Sequence, residues 1–347
     1  MLYQLSYTPA GGGASRWARY GLQAAIATFL TEVLRPDADQ PHFPLSPASA
    51  TSCSFARDMT VHAPRSEPII EPELLMLAYR SGIFPMADSR EDPEIFWIEP
   101  RLRAILPLDG LHVSHSLAKT LRRERFTVTC NRAFSQVMDA CAAPRRVRDG
   151  DEGGSWISHR IQASYENLHF LGHAHSVEVW QGEGSDRELV GGLYGVGFDR
   201  VFCGESMFSR ASDSSKVALA WLVAALRRGG ASLLDCQFMT PHLASLGAVE
   251  MPQKRYLALL RQAQAEPVRR PAQFASGSST GSGSASTAGG GGADGAPADG
   301  VAAGEGVAAG EVLALPDAFA ALLADAASCG LASSPGKLIA QAFTQTS

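Results

Sequence analysis

"VFCGESMFSRASDSSKVALAWLVAALRRGGASLLDCQF", residues 201 to 238, decides how the chain folds. It opens as a strand, read as 200–207, in which Cys203, Glu205 and Met207 share one face by simple alternation. Ser212 or Asp213 then caps a long apolar helix that Gly229-Gly230 closes. "SLLDCQF" follows as a buried strand. Upstream, 175–181 and 189–197 are further strand-like runs, and Ser158 caps a helix that ends at Gly172.

Further out, "EPELLMLAYRSGIFP" predicts a helix from Glu71 with Pro72 in its first turn, stopping at Gly82. "RAILPL" is a strand that ends at the turn Asp109-Gly110. Ser114 or Ser116 caps a basic helix through Arg125, "FTVTC" is a strand, and 133–142 is a helix. Pro252 starts a last helix to about 265. Consecutive strands with flanking helices predict an α+β fold around a mixed sheet.

Residues 1–66 form a poorly patterned N-terminal extension with helical period only over 17–34. The stretch 266–312 is a flexible Gly/Ala/Ser-rich linker with too little apolar surface to order itself. In the tail, 313–347, Asp317 caps a short helix.

The formal net charge of -5 excludes a uniformly basic nucleic-acid binder, though not a local basic patch. Six scattered cysteines form no CxxC pair and suit a reducing cytoplasm. No apolar run approaches the ~20 residues of a membrane span. "GLQAAIATFL" (Gly21 to Leu30) is followed at once by Glu32 and Arg35 and reads as a short helix, not a signal peptide. A cytoplasmic protein without membrane contact is expected.

Asp235 and Gln237 lie two apart on an apolar strand, roughly 6.6 Å from each other on one face. Such groups are costly to bury without partners. Glu205 raises the same problem on the neighbouring run. If the strands are adjacent, three acceptors converge and favour a cationic or amine ligand. The plain alternative is a salt bridge from Glu205 to Arg210 or Lys216. Lys119, Arg122 and Arg123 fall on one helix face, which is a phosphate track or simply a solvated face. His169, His173 and His175 straddle a helix end and a strand start, a geometry that suits structural histidines better than a metal site. "GGLYGVG" (191–197) predicts close backbone approach by a ligand or another strand. A P-loop, a GxGxxG loop and a GxSxG elbow are missing from the sequence.

At these residues the chain resembles the leucyl/phenylalanyl-tRNA–protein transferases. The matching stretches include "LLMLAYRSGIFPM", "LHVSHSLAKTLRR", "SWIS", "LGHAHSVEVW", "LVGGLYGV", "VFCGESMFSR", "LLDCQF" and "HLASLGAVEMP", in the family's order from about 71 to 260. The resemblance implies a small N-terminal α/β domain (67–125) packed on a catalytic acetyltransferase-like mixed-sheet domain (126–265). It implies transfer of Leu or Phe, less often Met, from aminoacyl-tRNA to proteins with N-terminal Arg or Lys, marking them for N-degron proteolysis. Aminoacyl-tRNA is already an activated ester, so no cofactor is expected; a monomer is expected. By similarity, Gln237 accepts from the attacking amine, Asp235 orients and polarises Gln237, and Glu205 holds the cationic acceptor. Lys119, Arg122 and Arg123 match tRNA-holding positions. Tyr79, Trp156 and Tyr165 match positions around the terminal adenosine or its aminoacyl group, and Phe202, Met207, Leu222 and Leu234 match the side-chain pocket. Two departures concern tRNA contacts: Met86 where tryptophan is frequent, and His115 where arginine is common.

Three alternatives remain at this point. An acyl-CoA-dependent N-acetyltransferase needs a pyrophosphate loop, and the nearest match, Arg227 to Ser232, lies at a helix C-terminus where the dipole repels phosphate. A non-catalytic RNA-binding module would use the basic helix alone. A peptidoglycan-type aminoacyl transferase would differ in its acceptor.

Overall fold

The computed structural model describes residues 69–144, 154–265, 314–332 and 334–344. The expected N-terminal extension 1–66, its helix over 17–34 and the linker 266–312 lie outside the described residues.

Chain order begins with α1 (Pro72–Arg80), β1 (Phe84–Met86), β2 (Phe96–Ile98) and β3 (Leu102–Ile105). Then come α2 (His115–Arg122), β4 (Thr127–Cys130), α3 (Phe134–Ala142), α4 (His159–Phe170) and β5 (Ala174–Gln181). β6 (Glu188–Phe198) follows, and β7 (Val201–Ser209), α5 (Ser214–Arg228) and β8 (Leu233–Gln237) carry the decisive stretch. The described chain closes with α6 (Pro241–Ser245), β9 (Val249–Pro252), α7 (Gln253–Ala265), α8 (Leu315–Ser328) and α9 (Pro335–Thr344).

Local chemistry explains most boundaries. Ser114 caps α2 by accepting from Leu117 N, and Ser158 caps α4 by accepting from Ile161 N. Pro72 sits in the first turn of α1, where its missing N–H costs nothing. Asp213, one of the two expected caps, is the N-cap of α5, but at φ +66° it makes no side-chain cap bond. β9 occupies 249–252, so the helix expected to start at Pro252 begins one residue later, at Gln253.

Seven strands form one mixed sheet in the order β4-β5-β6-β7-β8-β3-β9. β4 to β7 are antiparallel, β7 and β8 run parallel, and β3 pairs antiparallel with both β8 and β9. A 126–265 catalytic unit would therefore exclude one of its own central strands, because β3 joins this sheet. The remaining pair, β1 and β2, is a separate antiparallel ribbon.

The sheet divides the core. On one face α5 packs with α2, α8 and α9 over Val177, Val179, Leu193, Met207 and Leu234. On the other, α1, α3, α4 and α7 cover Ala174, Tyr194, Val196, Cys203 and Leu233. The glycines of β6 permit close approach by the chain itself. A Cβ at Gly191 would meet Ser214 Oγ at 2.4 Å, and one at Gly195 would meet Cys203 O at 2.2 Å.

The tail holds two helices where one short helix was expected. Phe319 of α8 stacks on Trp221 of α5 with ring centroids 5.2 Å apart, and Asp325 pairs with Arg228 at 2.8 Å. Gly336 of α9 donates its N–H to Glu124 Oε1 at 2.6 Å, just past the end of α2. A Cβ at Gly336 would lie 2.5 Å from Leu121 O. Gly336→Val is therefore expected to release α9 from α2 at a cost of about 1–3 kcal/mol. Faster amide exchange across residues 335–343 would register this, and unchanged exchange would show that the contact does not hold the tail.

Candidate active site

The site grows from an irregularity in β7. Gly195 of β6 faces Gly204, but Tyr194 faces Ser206, so Glu205 is an extra residue without a cross-strand partner. This β-bulge reverses the alternation beyond it. Cys203 and Met207, expected on one face, end in different core clusters on opposite sides of the sheet. Glu205 itself stays on the face of Cys203, which α1, α3, α4 and α7 cover, and is fully buried.

Glu205 does not form the salt bridge that would have explained it. Lys216 pairs with Asp213 at 3.1 Å, and Arg210 donates to Leu189 O. Neutral groups hold the carboxylate: Gln237 Nε2 donates to Oε1 at 2.9 Å, and Tyr165 Oη donates to Oε2 at 3.3 Å. Tyr165 is in turn hydrogen-bonded to Tyr79, hydroxyl to hydroxyl. Burial without a counter-ion pushes the Glu205 carboxyl up to about 7; nearby Asp235 adds to the rise, while bonds from Gln237 and Tyr79 oppose it. The Tyr79 and Tyr165 hydroxyls are raised well above their ordinary value, by burial first and then by the Glu205 charge.

Asp235 stands on β8 in the opposite condition. Arg103 Nε donates to Oδ1 at 2.9 Å and a second guanidinium nitrogen to Oδ2 at 2.5 Å. Tyr256 Oη adds a bond to Oδ2 at 3.0 Å, and the backbone N–H of Gln237 adds one to Oδ1 at 2.8 Å. The guanidinium is itself buried, between the rings of Phe84 and Tyr256. Asp235 thus grips the backbone of Gln237, not its side-chain amide. The side-chain amide of Gln237 is turned to Glu205 instead.

Gln237 ends β8 at φ +62°, in the left-handed region that non-glycine residues seldom occupy. Phe238 N donates to Cys236 O at 2.8 Å across it, closing a three-residue turn. Glu205, Gln237 and Asp235 are therefore one connected cluster, with Tyr79 and Tyr165 attached through Glu205. As acceptors for an incoming cation they are not equivalent: Asp235 is already neutralised by Arg103, and Glu205 is not.

The four side-chain-pocket candidates share one core cluster, and the candidates for the adenosine end lie in the other. Met207, Leu222 and Leu234 line a narrow cleft with Leu193, Tyr194, Gly204, Leu219 and Leu243. Phe202 packs its ring against Gly195 and is not among the residues lining that cleft. Trp156 belongs to the opposite core cluster, with Tyr79 and Tyr165. Its indole N–H is buried without a hydrogen-bond partner among the described residues, as is the hydroxyl of Tyr194. Lys119, Arg122 and Arg123 share the exposed face of α2, and none bonds to the Glu205 cluster. His169 and His175 have structural contacts, with Ala174 O at 2.8 Å and with Asn131 at 3.0 Å.

Comparison with known proteins decides the family. The leucyl/phenylalanyl-tRNA protein transferase model matches residues 105–261, and the model of that protein's N-terminal domain matches 69–101. The leucyl/phenylalanyl-tRNA–protein transferase of Novosphingobium aromaticivorans is 69% identical over 201 residues, 58% of this chain and 73% of that protein. Those of Zymomonas mobilis and Rhodopseudomonas palustris are each 55% identical, over 56% of this chain and 70% and 83% of theirs. The chain belongs to the leucyl/phenylalanyl-tRNA–protein transferase family. It is an enzyme of the transferase class, as the sequence motifs implied. Among solved structures, L-PGS from Bacillus licheniformis overlaps 50% of this chain and 55% of its own at 16% identity, with a TM-score of 0.27, too low to bear on the fold.

Sequence reasoning missed Arg103, Tyr256 and Tyr194 as site residues. Arg103 opens a strand that is otherwise apolar, "RAILPL", and an arginine there needs a buried acid. That signal was available. Tyr256 had none, since one aromatic on a helix is ordinary core.

The raised carboxyl of Glu205 carries a prediction. Between its ordinary 4.5 and about 7, folded protein keeps a proton that the unfolded chain releases. Stability present at low pH is therefore lost as pH rises through that window. Glu205→Gln keeps a neutral side chain at all pH. It is expected to shrink the fall in unfolding free energy between about pH 5 and about pH 8 by about 1–3 kcal/mol. An equal fall in both proteins, measured by chemical denaturation, would mean that Glu205 titrates normally.

Proposed function

We propose that this enzyme moves Leu or Phe, less often Met, from aminoacyl-tRNA to the N-terminal Arg or Lys of acceptor proteins, marking them for N-degron proteolysis in the cytoplasm. The observation that carries the reading is Glu205: a buried carboxylate whose described partners are all neutral donors. A cation arriving beside it supplies the missing counter-charge. An acceptor beginning with Arg or Lys brings such a cation, and its α-amine arrives with it.

The chemistry then asks little of the protein. The amine nitrogen attacks the ester carbonyl, an amide forms, and the carbon–oxygen bond to the ribose breaks. The proton lost by the amine leaves with the ribose oxygen. An N-terminal amine has a pKa of about 8, so its deprotonated form is accessible near neutral pH. Gln237, with its Nε2 committed to Glu205, presents its Oε1 to the attacking amine. Orientation and preorganised polarity supply the rest.

The cleft of Met207, Leu222 and Leu234 receives the Leu or Phe side chain, and Phe202, off its lining, packs against Gly195 in the same core. It rejects charged side chains by desolvation and discriminates a methylene by only about 1–3 kcal/mol. Trp156 Nε1 and Tyr194 Oη are buried donors in need of acceptors, which the aminoacyl-adenosine end offers. Tyr79 and Tyr165 position that end. Lys119, Arg122 and Arg123, exposed and without ion-pair partners among the described residues, meet tRNA phosphates. No helix among the described residues is long and apolar enough to cross a membrane.

The protein acts as a monomer in this reading, with residues 69–101 as the small N-terminal domain and the sheet as an acetyltransferase-like catalytic layer. Its support is the antiparallel run β4–β7 followed by α5 and a parallel β8. The acyl-CoA alternative gains nothing: Gly229-Gly230 closes the C-terminal end of α5, where carbonyls face outward.

Purified protein with labelled Leu-tRNA should label a peptide beginning with Arg and not one beginning with Ala. Equal labelling of both, or labelling supported by acetyl-CoA without tRNA, would overturn the proposal. Lys119→Ala with Arg122→Ala should raise the KM for charged tRNA and lower the slope of its salt dependence by about 2. An unchanged slope would remove α2 from the tRNA face.

A further inference from the structure

Arg103 is a buried charged group to which the transfer chemistry gives no task, and it bonds directly to the acid of the site. It is 1% exposed, at the start of β3 and away from any solvent path its charge could use. Its three polar contacts go in two directions. Two nitrogens fork onto Asp235, and NH1 donates to Gly82 O at 3.1 Å. Both directions lead to the same carboxylate.

The first path runs through β8. Asp235 Oδ1 accepts the backbone N–H of Gln237, the residue at φ +62°, and the side chain of Gln237 donates to Glu205. A left-handed glutamine persists only where its surroundings over-determine it. The second path runs through α1. Gly82 follows the end of that helix, and its own φ of +81° leaves no space for a Cβ, which would sit 2.8 Å from Leu257. Tyr79, on the last turn of α1, reaches Glu205 through Tyr165.

We infer that Arg103 is a positioning residue for the transfer reaction: it fixes Asp235 against Gly82, and so holds Gln237 and Tyr79 at their settings around Glu205. It touches no substrate. The planar fork is what does this, because one guanidinium spans both carboxylate oxygens and the carbonyl at once. Tyr256 completes the arrangement, with its ring on the guanidinium and its hydroxyl on Asp235. Arg103 thereby ties the end of α1 to β8 with one side chain.

The inference rests on the proposed transfer activity only for its kinetic readout. Arg103→Lys keeps the charge but loses the fork. The variant is expected to fold, to keep its KM for Leu-tRNA within about twofold, and to lose about 10- to 100-fold in kcat with an Arg-initiated peptide. A purely structural arginine would instead lower activity in proportion to the folded fraction, at unchanged kcat per folded molecule.

Amide exchange supplies the readout that needs no substrate. In Arg103→Lys the segment 236–239 should exchange about tenfold faster than in the parent protein, with 219–226 of α5 unaltered. Should Arg103→Lys not fold, Tyr256→Phe carries the same test, since it removes one bond to Asp235 Oδ2 and leaves the charges in place; a smaller rise in exchange at 236–239 is expected. Unchanged exchange in a folded variant would overturn the inference. If the parent protein itself fails to transfer Leu, the proposed function falls, and the exchange measurement still decides the role of Arg103.

Discussion

A carboxylate buried without a counter-ion is the constraint on which the rest of this structure depends. Glu205 is fully buried, and what surrounds it is an amide and two tyrosines rather than a cation. Such an arrangement opposes folding whenever the group is ionised. It persists because the scaffold is stiff. Helices cover the face on which Glu205 lies, and the parallel β7–β8 pairing sets Asp235 opposite Cys203. Glu205 keeps the face of Cys203, beside Tyr79 and Tyr165, and the bulge sends Met207 to the other face.

Two acids a few residues apart in space are thereby sorted into different tasks. Asp235 has a bidentate arginine and two further donors, so its charge is spent inside the protein. Glu205 has neutral donors alone, and burial lifts its carboxyl to about 7. Environments that push paired carboxyl groups apart are a recurrent way to divide roles within one site. Here the division is between a carboxylate paired with a cation and one held by neutral donors alone, which is the basis of the roles proposed for them. The resemblance assigned both acids to the chemistry itself. The coordinates distinguish them because hydrogen-bond partners, unlike motifs, show which charges are already satisfied.

Much of this was legible from residues alone. Helix boundaries at Ser114, Ser158 and Gly229 follow from caps whose chemistry is local. The proximity of Glu205, Asp235 and Gln237 was legible too, since polar residues on apolar strands need one another. What escaped was set by long-range pairing. The bulge at Glu205 exists only in the register of β6 on β7, and no local signal announces it. β3 reads as part of an N-terminal segment, yet it completes the sheet because β8 and β9 leave room for it between them. Arg103 meets Asp235 across 132 positions of sequence, so spacing arguments do not reach it.

α5 shows how a short-range pattern can nonetheless specify a distant partner. Twelve of its fifteen residues are buried: Ser214, Ser215 and a run from Val217 to Leu226. A helix apolar all round cannot rest on a sheet with its other side in water. The sheet covers one side, and α2 contributes only at an end. The remaining side needs a cover from elsewhere in the chain, and α8 supplies it with Leu315, Phe319 and Leu322. Both family models end before this hairpin, at 261 or earlier, yet Trp221 and Arg228 meet it with a ring and an ion pair. The contact is specified at both ends, by an apolar helix that requires burial and by a stripe that offers it. Through α9 and Glu124 the same cover reaches the end of α2, so the helix that bears Lys119, Arg122 and Arg123 is braced from a part of the chain far beyond the catalytic sheet.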